Sequence, residues 1–196
     1  MLKFQSKSLS LICLSFLLFF HVPVSAETTF IDKKGEKSTL SNVAKGDSLK
    51  NEKEFYSQAV GNIYPGEKAL AKIETHFDEW QGRHATSPSV FAIRAKSEDG
   101  KPVGILIYEL GNDKSKAYVQ LRVLAVKPGH QRLGIGTLMI QEIKTLYPKI
   151  TEIRADIRRD NGGAKAFYEK TGFRPKASPN DPKKTSNEYM GFVLKV

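Results

Sequence analysis

The sequence predicts an α/β (α+β) fold in which a mixed β-sheet of six to seven strands is flanked by helices. Three β-rich runs are separated by short polar turns, which is typical of an antiparallel meander. Farther along the chain, strand-like and helical segments alternate, which indicates parallel pairing across a crossover helix. The chain has 196 residues, and 40% of them are hydrophobic, enough for one sizeable core.

Hydrophobic spacing, together with the residues that end each run, predicts the individual elements. Apolar side chains at helical spacing between Phe55 and Trp80 indicate one or two helices, and a polar loop follows from Gln81 to Ser89. The meander strands are predicted at 90–93, 103–110 and 118–126. The later elements are a helix over 134–147, a strand over 150–157, a short helix over 164–170, and strands that begin at Phe173 and Tyr189.

The first 26 residues have the order of a secretory signal peptide. Lys3 and Lys7 precede the apolar run from Leu9 to Phe20, and small residues lead to Ala26. This run is shorter than the roughly 20 residues that a membrane-spanning helix needs. We therefore expect Sec-type export to the periplasm or the medium, with no membrane span after cleavage. An uncleaved membrane anchor is the alternative.

Composition restricts the partners and the chemistry of the exported chain. Removal of residues 1–26 lowers the formal charge from +10 to +8, because this segment contains Lys3 and Lys7 and no acidic residue. A basic surface suits anionic partners such as a nucleotide cofactor. The chain has no run of five lysines and arginines, so dedicated nucleic-acid binding is not expected. Cys13 is the only cysteine, which excludes disulfides and cysteine-ligated metals after cleavage.

A glycine-rich segment between a predicted strand and a predicted helix, 126–136, is the clearest site motif. Glycines let the backbone approach a ligand closely, and unpaired N–H groups at a helix start bind anions. Arg132 adds a full positive charge, so the segment is suited to a pyrophosphate. It matches neither the dinucleotide fingerprint nor the P-loop. Alone, it would be an ordinary strand-to-helix turn.

A second motif makes the first one specific, and together they resemble the GNAT superfamily of N-acetyltransferases. The acetyl-CoA signature of that family resembles Gln131-x-x-Gly134-x-Gly136. Its second motif resembles Asn161-x-x-Ala164-x-x-Phe167-Tyr168-x-Lys170-x-Gly172-Phe173. The resemblance is best from about Val90 to Val196. It implies a GNAT-like sheet that splays at its centre, with 55–196 as the N-acetyltransferase domain. Residues 27–54 are a polar segment, in which Phe30-Ile31 could form an edge strand.

The resemblance also implies the reaction and the site residues. Acetyl-CoA would be the co-substrate, no metal would be needed, and a primary amine of a small-molecule or protein acceptor would attack the thioester directly. Tyr168 would be the general acid, and a phenol with a pKa near 10 suits a thiolate leaving group. The implied cofactor-binding residues are Leu124, Ala125, Val126, Gln131, Arg132, Leu133, Gly134, Ile135, Gly136, Thr137, Asn161 and Ala164.

One departure from the family leaves the general base open. Gln120 occupies the position of the catalytic glutamate in histone-type members and cannot take a proton at neutral pH. Glu109, an ordered water, or an acceptor of low pKa could replace it. A non-catalytic acyl-CoA-binding or regulatory module of the same fold is the alternative function. The segments 55–89 and 176–187 should select the acceptor, and the lysines of the second segment disfavour polycations. An exported enzyme lacks cytosolic acetyl-CoA, so action as an effector inside another cell is one hypothesis.

Overall fold

The computed structural model describes residues 27–61, 67–113, 116–176 and 189–196. The predicted signal peptide and most of the predicted acceptor-selecting turn lie outside these residues. The described strands are β1 (Thr28–Ile31), β2 (Lys37–Asn42), β3 (Val90–Ser97), β4 (Pro102–Asp113), β5 (Lys116–Val126), β6 (Glu152–Arg158), β7 (Arg174–Lys176) and β8 (Tyr189–Lys195). The described helices are α1 (Lys50–Gly61), α2 (Glu67–Thr86), α3 (Ile135–Leu146) and α4 (Gly162–Lys170).

The strands form one mixed sheet in the order β1-β2-β3-β4-β5-β6-β8-β7. All neighbouring strands are antiparallel except β5 and β6, which are parallel because α3 connects them as a crossover. The predicted fold, a mixed sheet flanked by helices, is confirmed. The sheet has eight described strands, because the polar N-terminal segment forms a hairpin of β1 and β2 where a single edge strand was expected.

Both faces of the sheet are covered by helices, so the central strands are buried on two sides. Leu106 of β4 packs in the core beneath α3 and α4, together with the fully buried Met139. Ile105 and Ile107, its neighbours on the same strand, point the other way into the core beneath α1 and α2, which includes Phe77. None of the described helices is long and apolar enough to cross a membrane.

The structure corrects the predicted loop from Gln81 to Ser89, because α2 continues to Thr86. Two residues that read as polar make tertiary contacts that extend the helix. Nη2 of Arg83 donates to the carboxylate of Glu109 on β4 at 2.6 Å, and His84 is buried. This extension places the last turns of α2 beside β4 and β5.

Candidate active site

The parallel ladder between β5 and β6 ends partway along both strands. Residues 118–121 pair with 152–155, and the pairing stops there. Beyond that point β5 stays paired with β4 as far as Val126, while β6 stays paired with β8 as far as Arg158. The two strands therefore separate into a wedge, with residues 122–126 on one side and 156–158 on the other. Within the part of the chain that the structure describes, the backbone groups of β5 that face the wedge have no strand partner, so an extended ligand can bind to them.

A β-bulge in β5 coincides with the point of separation. Ile107 pairs with Val123 and Tyr108 pairs with Leu121, so Arg122 is the extra residue on β5. A bulge bends its strand and increases the local twist. It therefore gives a physical reason for β5 to leave β6 directly after Leu121.

The loop between β5 and α3 closes the wide end of the wedge and has the geometry of an anion-binding loop, called the anion cradle below. Gly129, Arg132 and Gly134 all have left-handed backbone conformations, with φ of 88°, 64° and 98°. The side-chain amide of Gln131 donates to the carbonyl oxygen of Val126 at 3.1 Å, which ties the loop to the strand. Gly134 caps α3 without a side chain, so the first N–H groups of the helix stay accessible to a phosphate.

A close contact between α3 and α4 depends on a glycine of the motif. A Cβ at Gly136 would lie 3.2 Å from the ring of Phe167. The absence of a side chain therefore lets α4 pack against the first turn of α3. This packing holds the residue after Phe167, Tyr168, in a fixed position relative to the cradle.

The turn between β1 and β2 reaches the cradle from the edge of the sheet. The backbone N–H of Lys33 donates to the carbonyl oxygen of Leu133 at 3.3 Å, and Nζ of Lys34 lies 3.4 Å from the carbonyl oxygen of Gly129. Asp32 orders the turn, because its Oδ1 accepts from the backbone N–H of Lys34 and of Glu36 at 2.8 and 3.0 Å. The N-terminal hairpin thus supports the cradle and adds cationic side chains beside it.

Asn161 caps the start of α4, and Tyr168 lies near the end of that helix. Oδ1 of Asn161 accepts from the backbone N–H of Ala164 at 2.8 Å. The Tyr168 ring is buried, with ring centroids of Phe173 and Phe192 at 4.9 and 5.8 Å. Burial, with a contribution from the negative charge of Asp156, raises the pKa of Tyr168 well above its ordinary value near 10. The phenol therefore stays protonated at physiological pH.

Asp156 is a functional candidate that the sequence reasoning missed. It follows Ala155, the last residue of β6 in the ladder with β5, so it lies where the wedge begins. Its Oδ2 accepts from Nε2 of the buried Gln120 at 3.2 Å. Oε1 of Gln120 is also buried and has no hydrogen-bond partner among the described residues. Asp156 is half-buried, and removing a carboxylate on a central strand from water costs free energy, so an aspartate in such a strand was the signal available in the sequence.

Glu109, the substitute base considered from sequence, is committed to two arginines. Its Oε1 accepts from Arg83 at 2.6 Å, and its Oε2 accepts from Arg122 at 2.7 Å. Both carboxylate oxygens therefore already hold cations. This geometry assigns Glu109 a structural role.

Replacement of Glu109 tests that role. We expect Glu109→Gln to lower the free energy of unfolding by about 1–2 kcal/mol, because two partly exposed guanidinium groups lose their counter-charge. Urea denaturation measures this, with Glu98→Gln in the exposed β3–β4 turn as the matched control. If Glu109 were the general base, the variant would instead keep its stability and lose the acidic limb of its pH–rate profile.

The described residues contain no group of three or more His, Cys, Asp or Glu side chains arranged to hold a metal ion. The candidate site consists of the wedge, the anion cradle and three side chains, Gln120, Asp156 and Tyr168. A wedge that exposes strand backbone, with a phosphate-binding loop at its wide end, fits a long ligand that carries a diphosphate. A reactive group at the narrow end of the wedge would meet both a carboxylate and a phenol.

Comparisons with known proteins agree with this geometry. Solved structures with the same fold include the PaiA N-acetyltransferase of Thermoplasma acidophilum in complex with coenzyme A, at 19% identity and a TM-score of 0.62 over 81% of this chain and 99% of that one. The ribosomal-protein-S18-alanine N-acetyltransferase of Escherichia coli is 20% identical, with a TM-score of 0.56 over 81% and 94% of the two chains. An acetyltransferase of Thermus thermophilus is 18% identical, with a TM-score of 0.58 over 81% and 97%.

These identities establish the fold alone, and no curated protein sequence matches the chain. The family is established by a sequence profile, which matches residues 54–173 and so covers more than half of the chain. The matched region includes the wedge, the cradle and Tyr168. This chain belongs to the acetyltransferase (GNAT) family, whose acyl donor is acetyl-CoA.

Proposed function

We propose that this protein is an N-acetyltransferase that moves the acetyl group of acetyl-CoA to a primary amine by direct attack. The observation that carries the proposal is the placement of Asp156 at the start of a wedge whose wide end is the anion cradle. Asp156 supplies the proton acceptor that Gln120 cannot supply. A proton acceptor at this position favours an enzyme over a non-catalytic module.

The chain's own groups divide the binding of the donor between them. Backbone amides from Arg132 to Gly136 and the hydroxyl of Thr137 hold the diphosphate at the start of α3. Backbone groups of residues 124–126 hold the pantetheine arm as an additional strand in the wedge. The same groups fix the thioester near the point where the ladder ends. This positioning can lower the activation barrier by several kcal/mol, on the order of 7–11 at most.

Two side chains move the protons of the reaction. The amine forms a C–N bond with the acetyl carbon and gives a proton to Asp156, while the C–S bond breaks and Tyr168 donates its proton to the departing sulfur. The two transfers are coupled, because the charge of Asp156 helps to raise the pKa of Tyr168. Protonation of Asp156 removes that contribution, so Tyr168 becomes a better acid at the moment when the thiolate leaves.

Tyr168→Phe tests the acid. We expect kcat to fall by about 10²-fold or more, because the leaving thiolate loses its proton donor. In the wild-type protein, kcat should not decline between about pH 8 and pH 10, because Tyr168 titrates above its ordinary pKa near 10. A thiol-release assay across this range measures both effects. Tyr147→Phe is the matched control, since its hydroxyl bonds Tyr108 in the core at 3.2 Å. An unchanged kcat in Tyr168→Phe would exclude the phenol from the chemistry.

We also propose that residues 1–26 direct export and that the protein then acts inside another cell, where acetyl-CoA is available. An envelope enzyme that uses another acyl supply is the alternative. Mass spectrometry of the protein from its native source tests the first part. A mature N-terminus at Glu27 in the exported fraction supports export, whereas a cytosolic protein that retains Met1 to Ala26 contradicts it.

A further inference from the structure

We infer that the acceptor amine also carries a carboxylate, which Arg83 and Arg122 bind beside the wedge. This inference rests on the proposed function and names the substrate class of the same site. It starts from the two arginines that share Glu109, called the arginine pair below.

The arginine pair is held rigidly against the sheet. The guanidinium groups of Arg83 and Arg122 lie 4.3 and 4.7 Å from the ring centroid of the buried Trp80. Glu109 accepts from both, at 2.6 and 2.7 Å. His76 lies edge-on to the same ring, and its Nε2 is 3.4 Å from the carbonyl oxygen of Arg122. Side chains fixed in this way lose little entropy when a ligand binds to them.

The arginine pair retains positive charge and free donors. Two guanidinium groups face one carboxylate, so the cluster has a net charge of about +1. The side chains of Arg83 and Arg122 are 41% and 25% exposed. Glu109 engages only Nη2 of Arg83 and only Nε and Nη2 of Arg122, so each guanidinium keeps N–H groups for another anion. A planar carboxylate is the ligand that matches such donors best.

The register of the sheet places the arginine pair near the reacting end of the wedge. Arg122 is the bulge residue, directly after the last residue of β5 in the ladder with β6. Gln120 pairs across the sheet with Glu109 and bonds Asp156 on its other side. Neighbouring strands are about 4.8 Å apart. Glu109, which both arginines contact, and Asp156 thus lie on strands about two spacings apart, on either side of Gln120.

This arrangement has the polarity of a zwitterion. The amino end of the acceptor is attracted to Asp156, while a carboxylate on the same molecule binds the arginine pair. A polyamine would place a second cation against Arg83 and Arg122 and would be repelled. An amino acid, or a peptide with a carboxylate close to its reacting amine, fits both ends of the site.

The test compares free amino acids with their carboxamides as acceptors for the purified protein, with rates corrected for the fraction of unprotonated amine. We expect kcat/KM to be at least about 10-fold higher for the acid than for the amide, mostly through KM, which corresponds to roughly 1.4 kcal/mol. Arg83→Gln should reduce this ratio toward one, and Arg83→Lys should restore part of it. The matched control is Arg174→Gln, on the exposed edge strand β7, which should keep the wild-type ratio.

The outcomes separate this inference from the proposed function. Acetylation of acids and amides at equal rates would overturn the inference and leave the proposed function standing. Failure to acetylate any amine, by protein that binds acetyl-CoA, would overturn both. A second comparison uses peptides with an acidic second residue and the same peptides with that side chain amidated. It shows whether the carboxylate belongs to a free amino acid or to a peptide. A preference for the carboxylate form, in the amino acids or in the peptides, supports the inference.

Discussion

Asp156→Asn is expected to lower kcat by about 10²–10⁴-fold, with little change in the affinity for acetyl-CoA. The amide keeps the size of the side chain but cannot accept a proton from the attacking amine. Gln120 can still contact the amide at position 156, so the wedge should keep its shape. Steady-state thiol release measures kcat, and calorimetry measures the affinity.

A matched control for this variant is Asp78→Asn on α2, whose carboxylate forms an exposed ion pair with Lys53. It should retain the wild-type kcat. A second check measures the rates of the wild type and the variant with acceptors of decreasing amine pKa. An amine of lower pKa depends less on Asp156 as the base. The rate deficit of Asp156→Asn should therefore shrink along the series, and full activity with a strongly basic amine would contradict the assignment.

Gly134→Glu is expected to weaken acetyl-CoA binding by at least about 100-fold, or roughly 3 kcal/mol. Gly134 has a φ of 98°, which a residue with a Cβ adopts only with strain. A Cβ built on Gly134 would meet open space, so we expect the new carboxylate to lie in the cradle itself. There it repels the diphosphate and competes for the N–H groups of α3.

The control separates backbone strain from the loss of the cradle. Gly46, in the connection between β2 and α1, has a φ of 86° and equally open surroundings. Gly46→Glu should lose comparable stability while keeping its affinity for acetyl-CoA. The rise in melting temperature that added acetyl-CoA produces in each variant compares their affinities for acetyl-CoA. Equal affinity in Gly134→Glu and the wild type would place the diphosphate elsewhere.

The elements near the motifs were predictable because their signals are local. The glycines of the cradle, the cap at Asn161 and the alternation of β6 depend on neighbours within a few residues. The order of strands and helices then determined a mixed sheet. The strain at Arg132 was not evident from sequence, since a left-handed arginine has no compositional signature.

Features that depend on contacts distant in sequence could not be predicted in the same way. The hairpin turn meets the cradle across 95 residues between Lys34 and Gly129, and no periodicity records such a contact. Glu109 was a reasonable base until the structure placed Arg83, from a segment read as a loop, against its carboxylate. Asp156 was read as one polar residue of an alternating strand, because its position at the end of the ladder appears only when β5 and β6 are paired.

Titration of the purified protein with acetyl-CoA by calorimetry tests the central claim most directly. Saturable binding of one molecule per chain, lost in Gly134→Glu and retained in Tyr168→Phe and Asp156→Asn, is the predicted result. It would show that the cradle and wedge hold the donor independently of the groups that move protons. A folded wild-type protein that does not bind acetyl-CoA would contradict the account.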